Sequence, residues 1–268
     1  MSSIPYVTLN NGMKMPQLGL GVYLIKGQEC VESVKNAIQM GYRLIDTAKY
    51  YGNEAEVGKG ILQSNVNRSE LFITSKIYSS GYEASLKAID DSVKKIGSYI
   101  DLMLIHWVIS DDVNTYKALE KALKDGKIKA IGVSNYFDNN LKRILNNCSI
   151  KPVVNQVECH VYCQQKEAHK MFTKNNIVME AWSPFGGSHC KQVLSNNLLK
   201  SLGEKYKKSP AQISLKWMMQ ENIVAIPKTS HKERMKENLN IFDFEIEKDD
   251  IKKIKDLDKN EGFESFWQ

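Results

Sequence analysis

Cysteine is sparse and scattered, with five residues at positions 30, 148, 159, 163 and 190 of a 268-residue chain. An odd number at irregular spacing does not make the disulfide framework of a secreted domain, so reduced thiols and a cytoplasmic location are expected. No apolar run approaches the roughly eighteen residues that a membrane span needs. The opening Met1-Ser2-Ser3-Ile4-Pro5-Tyr6 also lacks a basic stretch followed by an apolar one, so neither export nor membrane insertion is indicated. No low-complexity tract or Pro/Gly/Ser-rich linker divides the sequence, and its length suits one domain spanning residues 1–268. Missing too is a basic stripe with interleaved aromatics, which argues against nucleic acid. Lysines and acids alternate instead, as in the helix-like segment 116–127, and read as a solvated surface. The formal net charge of +6 still suits an anionic ligand.

What is present is an ordinary globular balance, 42% hydrophobic and 25% charged, with enough apolar surface for a large core. Short β-branched, apolar runs recur eight times, at residues 18–23, 43–48, 71–77, 101–107, 128–135, 153–158, 177–184 and 223–229. Most are separated by stretches of helical periodicity: Val31, Ala37 and Ile38; Leu86, Ile89, Val93 and Ile96; Leu119, Ala122 and Leu123, the last closed by Gly126 as a C-cap. Strand and helix in eightfold alternation imply a parallel sheet. Runs that are apolar throughout, such as Leu102-Met103-Leu104-Ile105, fit strands covered on both faces, and eight such units close into a (β/α)8 TIM barrel. Ahead of them, residues 6–9 and 13–15 flank Asn10-Asn11-Gly12, which predicts a β-hairpin across the barrel floor. A doubly wound dinucleotide fold would share the alternation. Its fingerprint is incomplete here, because Gly19 and Gly21 are followed by Leu24 where a third glycine belongs.

Polar residues cluster at the C-terminal ends of the apolar runs: Asp46, Lys76, His106, Asn135, Gln156, Ser183 and Lys228. In a barrel those ends share one rim, where active sites form, so residues distant in sequence become neighbours. Singly, Asp46 could cap the helix near Asn53 and Lys76 could be a surface lysine. Together, an acid, a lysine and a histidine end three successive β/α units at intervals of thirty residues. A phenol titrates near pH ~10, too high for an efficient proton shuttle near neutrality, and a nearby ammonium lowers it by stabilising the phenolate. Lys76 can supply that charge, Asp46 can hold Lys76 protonated, and His106 can donate a hydrogen bond to a carbonyl oxygen as it becomes negative.

These residues carry a family resemblance. Gly41-Tyr42-Arg43-Leu44-Ile45-Asp46-Thr47-Ala48-Lys49-Tyr50-Tyr51-Gly52-Asn53-Glu54, followed by Val57-Gly58, resembles the first signature of the aldo-keto reductases. Leu104-Ile105-His106-Trp107, Ile131-Gly132-Val133-Ser134-Asn135, Asn155-Gln156-Val157-Glu158-Cys159-His160 and Ile226-Pro227-Lys228-Thr229 resemble further blocks in the same order, from about Leu9 to about Asn238. The version with a short C-terminal tail, found in bacteria and protozoa, is the nearest in pattern. The resemblance implies a catalytic tetrad of Asp46, Tyr51, Lys76 and His106. Tyr51 would be the general acid, since the family spacing prefers it to the neighbouring Tyr50. It implies a nicotinamide dinucleotide held by Ser134, Asn135 and Gln156, with Trp182 stacked on the nicotinamide and Ser183 and Phe185 alongside. Trp182 as ordinary core is the alternative. Lys228, Thr229, Ser230, His231, Arg234, Glu237 and Asn238 resemble the adenosine-phosphate site. The two cations Lys228 and Arg234 favour NADPH over NADH.

The activity implied is NADPH-dependent reduction of aldehydes or ketones by a monomer acting on small carbonyl compounds. Tyr23 and Trp107 would line a partly aromatic substrate pocket. Two departures, Val108 where relatives usually have proline and Tyr23 where tryptophan is common, leave the pocket's shape open, as does the tail at 262–268. Two other classes compete: a non-catalytic NADPH-binding redox sensor or scaffold, and an aldolase forming a Schiff base on Lys76. All four tetrad positions are filled, which favours turnover. Cys159, His160 and Cys163 lie close in sequence, but no second ligand pair accompanies them, so no metal site is expected. His169 and His189 read as solvated.

Overall fold

The computed structural model describes residues 4–263. Ten strands appear in it: β1 (Tyr6–Thr8), β2 (Lys14–Pro16), β3 (Leu20–Gly21), β4 (Leu44–Asp46), β5 (Phe72–Ile77), β6 (Ile100–Ile105), β7 (Ile128–Ser134), β8 (Val154–Glu158), β9 (Val178–Trp182) and β10 (Val224–Ala225). Helices α1 (Gly27–Met40), α2 (Glu54–Gln63), α3 (Tyr82–Ile96), α4 (Asp112–Lys124), α5 (Asp138–Asn147) and α6 (Lys166–Lys174) each join consecutive strands from β3 to β9. Three more, α7 (Cys190–Leu194), α8 (Asn197–Tyr206) and α9 (Pro210–Gln220), separate β9 from β10. Beyond β10 come α10 (Lys232–Leu239) and α11 (Lys248–Lys255).

From β3 to β10 every neighbouring pair is parallel and consecutive. Parallel bridges Leu18 to Ala225 and Gly21 to Lys228 join the first strand to the last and close the (β/α)8 barrel. That seam explains the two glycines that mimic a dinucleotide fingerprint. A Cβ on Gly19 would stand 2.5 Å from Leu44 Cγ, and one on Gly21 would stand 2.9 Å from the Ile226 carbonyl oxygen. Gly21 therefore serves close backbone approach at the closure, while Gly19 leaves room for the side chains of Leu44 and Ile226.

Helix ends follow local chemistry. Ser209 and Gln212 form a capping box ahead of α9, with Pro210 at its first position. Gly41 ends α1 in the left-handed region, its N–H bonding back to Ile38 O. In α4 the C-cap is Asp125, and the expected cap Gly126 sits one residue later, left-handed, with its N–H on Leu123 O. The first and last expected strands are cut to two residues each, because Tyr23 and Thr229 already belong to rim loops.

The β1–β2 hairpin pairs Val7 with Met15. Gly12, left-handed, closes a turn back to Leu9 O. Leu9 and Met15 pack on an apolar cluster inside the barrel that includes Leu44, Phe72, Val154 and Val224, the first residues of their strands. The hairpin thus plugs the N-terminal end. A larger apolar layer, including Val34, Ile89, Leu119, Phe172 and Trp217, fills the space between sheet and helices.

Candidate active site

Inside the barrel, side chains two apart on a strand occupy successive layers. The lower layers are apolar, with Leu44, Phe72, Leu104, Ala130, Val154 and Ile226. Two or four residues further along the same strands, or just past their ends, come Asp46, Lys76, His106, Ser134, Gln156 and Lys228, at the C-terminal end. One face of each strand therefore changes from oil to polar chemistry at the mouth.

Lys76 organises this layer. Its fully buried ammonium donates to Asp46 Oδ1 at 2.6 Å, Thr47 O at 3.0 Å and Tyr51 Oη at 3.3 Å, which engages all three of its N–H groups. Asp46 Oδ2 accepts from Gln156 Nε2 at 2.8 Å. Asp46 is thus a partner of Lys76 and does not cap α2, and Lys76 is not a surface residue. Although desolvation works against its charge, the carboxylate of Asp46 holds Lys76 protonated, above the ordinary lysine range. Burial pushes Asp46 upward against the pull of Lys76. We assign an ion pair here because both side chains are in contact at 2.6 Å and the second carboxylate oxygen is also bonded.

Tyr51 ends a short 3-10 turn, Lys49–Tyr51, halted by left-handed Gly52. Of the two adjacent tyrosines, Tyr51 is the one whose hydroxyl bonds Lys76, while the Tyr50 ring is 74% exposed. One expectation needs correcting. Desolvation by burial outweighs the stabilising pull of Lys76, so Tyr51 sits above the ordinary phenol value rather than below it. The phenol is therefore protonated near neutrality, and Lys76 limits the cost of its ionisation.

His106 follows β6, its ring edge-on to Tyr51 with centroids 5.6 Å apart. Burial, reinforced by the Lys76 charge, pushes it down to about 3, so the imidazole is neutral across the physiological range. Aromatic rings surround this pair. Tyr23 lies 4.9 Å from Tyr51, Tyr50 lies 6.2 Å from His106, and Trp107 lies 6.4 Å from both His106 and Trp182. Tyr23 and Trp107 thus both stand at the mouth. Tyr50 was not singled out as a pocket residue from sequence.

Further around the rim, Ser134 Oγ donates to Gln156 O at 2.8 Å, and Asn135, in the left-handed region, donates to His106 O at 3.2 Å. Trp182 is half-buried, and its indole N–H donates to Asn135 Oδ1 at 3.0 Å. Ser183 is also left-handed and opens the loop that carries the half-buried Phe185. Lys228 stands at the barrel seam and Thr229 is buried, with its Oγ1 accepting from His231 N at 3.1 Å. Ser230 and His231 then lead into α10, which carries Arg234, Glu237 and buried Asn238. Lys228, His231 and Arg234 are exposed at the start of this helix, whose N-terminal amides suit an anion.

The sequence reading missed two buried acids. Glu180 lies in the β9 interior and is bonded to Gln156 Nε2 at 2.8 Å. An acid inside an apolar run, two residues before Trp182 on the same face, was the available signal. Glu158 ends β8 and accepts the Phe263 backbone N–H at 2.8 Å. The Phe263 ring lies between His160, at 4.7 Å and 7°, and His189, at 4.5 Å and 26°. His189 is thus exposed but stacked, and His169 is half-buried rather than fully solvated. The tail reaches the rim at Gly262 and Phe263, and its remainder, 264–268, lies outside the described residues. His160 Nε2 stands 3.1 Å from Glu158 Oε1. No group of three or more His, Cys, Asp or Glu that could hold a metal ion occurs among the described residues, nor any helix long and apolar enough to cross a membrane.

Residues 17–259 match the model of the Aldo/keto reductase family. The chain belongs to the aldo/keto reductase family. It is an oxidoreductase by that membership. Over 260 residues it is 47% identical to the glyoxal reductase of Bacillus subtilis (strain 168), covering 95% of this chain and 93% of the relative. A solved aldo-keto reductase, MGS-M4 from a Medee basin deep-sea metagenome library, superposes with a TM-score of 0.94 at 41% identity, covering 95% of this chain and 96% of that one. The aldo-keto reductase of Bombyx mori in complex with NADP superposes at 0.92 with 30% identity, covering 99% and 96%.

Proposed function

We propose that this reductase uses NADPH to reduce small aldehydes and ketones, with Tyr51 as proton donor. The observation that carries the reading is the contact of the Tyr51 hydroxyl with a buried, ion-paired ammonium beside a neutral imidazole at an open barrel mouth. The residues present fit a nicotinamide dinucleotide. Ser134, Asn135 and Gln156 offer amide and hydroxyl groups for a carboxamide, Trp182 offers an apolar face, and Lys228 and Arg234 with the start of α10 offer charge for phosphates. When bound, the nicotinamide supplies a hydride to the carbonyl carbon.

The chain's own groups do the rest. The neutral imidazole of His106 orients the carbonyl oxygen by hydrogen bonding, and Tyr51 delivers a proton to that oxygen. Lys76, held charged by Asp46, stabilises the phenolate left behind. The aromatic rim formed by Tyr23, Tyr50 and Trp107 excludes water and suits compact substrates, dicarbonyls included. The likeness to a glyoxal reductase supports that class. A Schiff base on Lys76 is disfavoured, since a protonated amine with three acceptors is a poor nucleophile.

Tyr51→Phe tests the reading. NADPH binding, followed by fluorescence titration, should stay within about twofold, while turnover of small aldehydes falls by roughly 10²–10⁴-fold, the usual range for a lost general acid. Unchanged turnover refutes the assignment. NADPH binding without oxidation by wild-type protein across aldehydes, sugars, dicarbonyls and quinones would favour a redox sensor.

A further inference from the structure

Glu180 takes no part in the mechanism above, yet its carboxyl is fully buried in the barrel beneath the reacting groups. Its Oε2 accepts from Gln156 Nε2 at 2.8 Å, and its Oε1 has no hydrogen-bond partner among the described residues. The same Gln156 nitrogen donates to Asp46 Oδ2 at 2.8 Å. A primary amide nitrogen has two N–H groups, so the two acids engage both. What remains is the amide oxygen, which the trigonal carbon turns away from the two carboxyls. Rotating the amide by half a turn would set that oxygen against two acid oxygens, which is unfavourable while either acid is ionised. Gln156 is therefore locked in one orientation from two sides, and a single acid would leave one of its N–H groups unheld.

The surroundings support a positioning purpose over simple packing. Gln156 and Glu180 are paired residues on β8 and β9, and β10 places apolar Val224 beside Glu180. The charged groups that face it are Asp46 from β4 and Lys76 from β5. An apolar side chain would fill this layer without the cost of an unpartnered carboxyl oxygen.

We propose that Glu180 is a positioning residue that, together with Asp46, clamps the Gln156 amide so that its oxygen, and not its N–H, is offered to the amino group of the cofactor carboxamide. This rests on the reading of the mouth as a nicotinamide site. The clamp shares Asp46 with the Lys76 ion pair, so it also ties cofactor recognition to the proton-donating group. Burial and the Asp46 charge push Glu180 up to about 8, and the neutral carboxyl still accepts the Gln156 N–H.

The test compares NADPH with its reduced 3-acetylpyridine analogue, which keeps the ring carbonyl and replaces the amino group by methyl. Dissociation constants are measured by fluorescence titration of the full-length protein without carbonyl substrate. Wild type should prefer NADPH by about five- to tenfold, as for one hydrogen bond of about 1 kcal/mol. Glu180→Met, which removes the acceptor, and Glu180→Asp, which keeps a carboxyl but withdraws it by one methylene, free one Gln156 N–H while Asp46 still holds the other. The preference should therefore fall by about twofold or more, with analogue binding unchanged. Glu180→Gln, which retains an acceptor oxygen, should stay within about threefold of wild type. If Glu180→Met does not fold, Glu180→Asp carries the comparison. Equal weakening of both cofactors, or full retention of the preference in Glu180→Asp, overturns the proposal. Failure of wild type to bind NADPH would instead overturn the nicotinamide reading, and binding without any preference would overturn the clamp alone.

Discussion

The Lys76–Asp46 pair permits a quantitative test in which a second mutation repairs the first. Their charged atoms are 2.6 Å apart, with side chains 0% and 3% exposed. Lys76→Met strips Asp46 of its counter-charge in a site where water cannot replace it. Removing one partner of a buried pair costs about 3–5 kcal/mol, mostly because an uncompensated charge stays behind. Asp46→Asn leaves the buried Lys76 ammonium uncompensated in the same way and should cost a similar amount, about 3–5 kcal/mol. In the double variant no net charge is buried, and the expected loss is about 1–2 kcal/mol from packing and polar mismatches. The double variant should therefore be more stable than Lys76→Met alone, with a coupling of about 2 kcal/mol or more. Urea unfolding followed by far-UV circular dichroism at neutral pH measures all four proteins, and equal slopes in denaturant would show that the unfolded state is unchanged. If the two single losses add to the double within about 0.5 kcal/mol, the residues do not interact as an ion pair and the electrostatic account of Tyr51 fails with them.

Three further outcomes follow from the structure. Glu180 is raised from 4.5 to about 8, so the folded chain keeps a proton that the unfolded chain has released. Its contribution is complete below pH 4.5 and is lost as pH rises towards 8, at up to about 1.4 kcal/mol per pH unit. His106, pushed down to about 3, adds a slope of opposite sign in both proteins below its ordinary value of 6.5. The decline is therefore read as the difference in stability between wild type and Glu180→Gln, which should change by the Glu180 slope across the window; a constant difference would reject the assignment. At the barrel seam, Gly21→Ala places a methyl 2.9 Å from a carbonyl oxygen and should destabilise by about 1–3 kcal/mol in thermal unfolding, whereas a neutral effect would mean the seam is slack. Replacing Lys228 and Arg234 together by alanine should weaken NADPH at least tenfold more than NADH in titrations, and equal weakening would remove both from phosphate recognition.

The architecture was legible in the sequence because eight apolar runs alternate with amphipathic stretches, and because the polar residues fall at matching ends. Lys76 and Asp46 were marked by their thirty-residue interval, which is one strand-to-strand repeat. Strand lengths were less readable, since runs such as 223–229 stay apolar into the loop while only Val224–Ala225 form a strand. Gly19 and Gly21 imitated a phosphate loop, because a tight barrel closure and a tight turn both ask for glycine. The direction of the Tyr51 shift escaped sequence reading for a different reason: it depends on how deeply the ring is buried, which no spacing reveals. Glu180 lies inside a strand and not at its end, and its importance comes from the register that sets it against Gln156, which a lone acid in an apolar run does not reveal.

Phe263 is held on both faces by imidazoles, and Gly186 lies so close that an added methyl carbon would come within 3.0 Å of the ring. Both His189 and Gly186 belong to the same loop as Ser183 and Phe185. Phe263 and that loop therefore behave as a single mechanical part. Trimming the protein ahead of Phe263, or widening Gly186, would loosen a segment far away in sequence that carries Ser183 and Phe185.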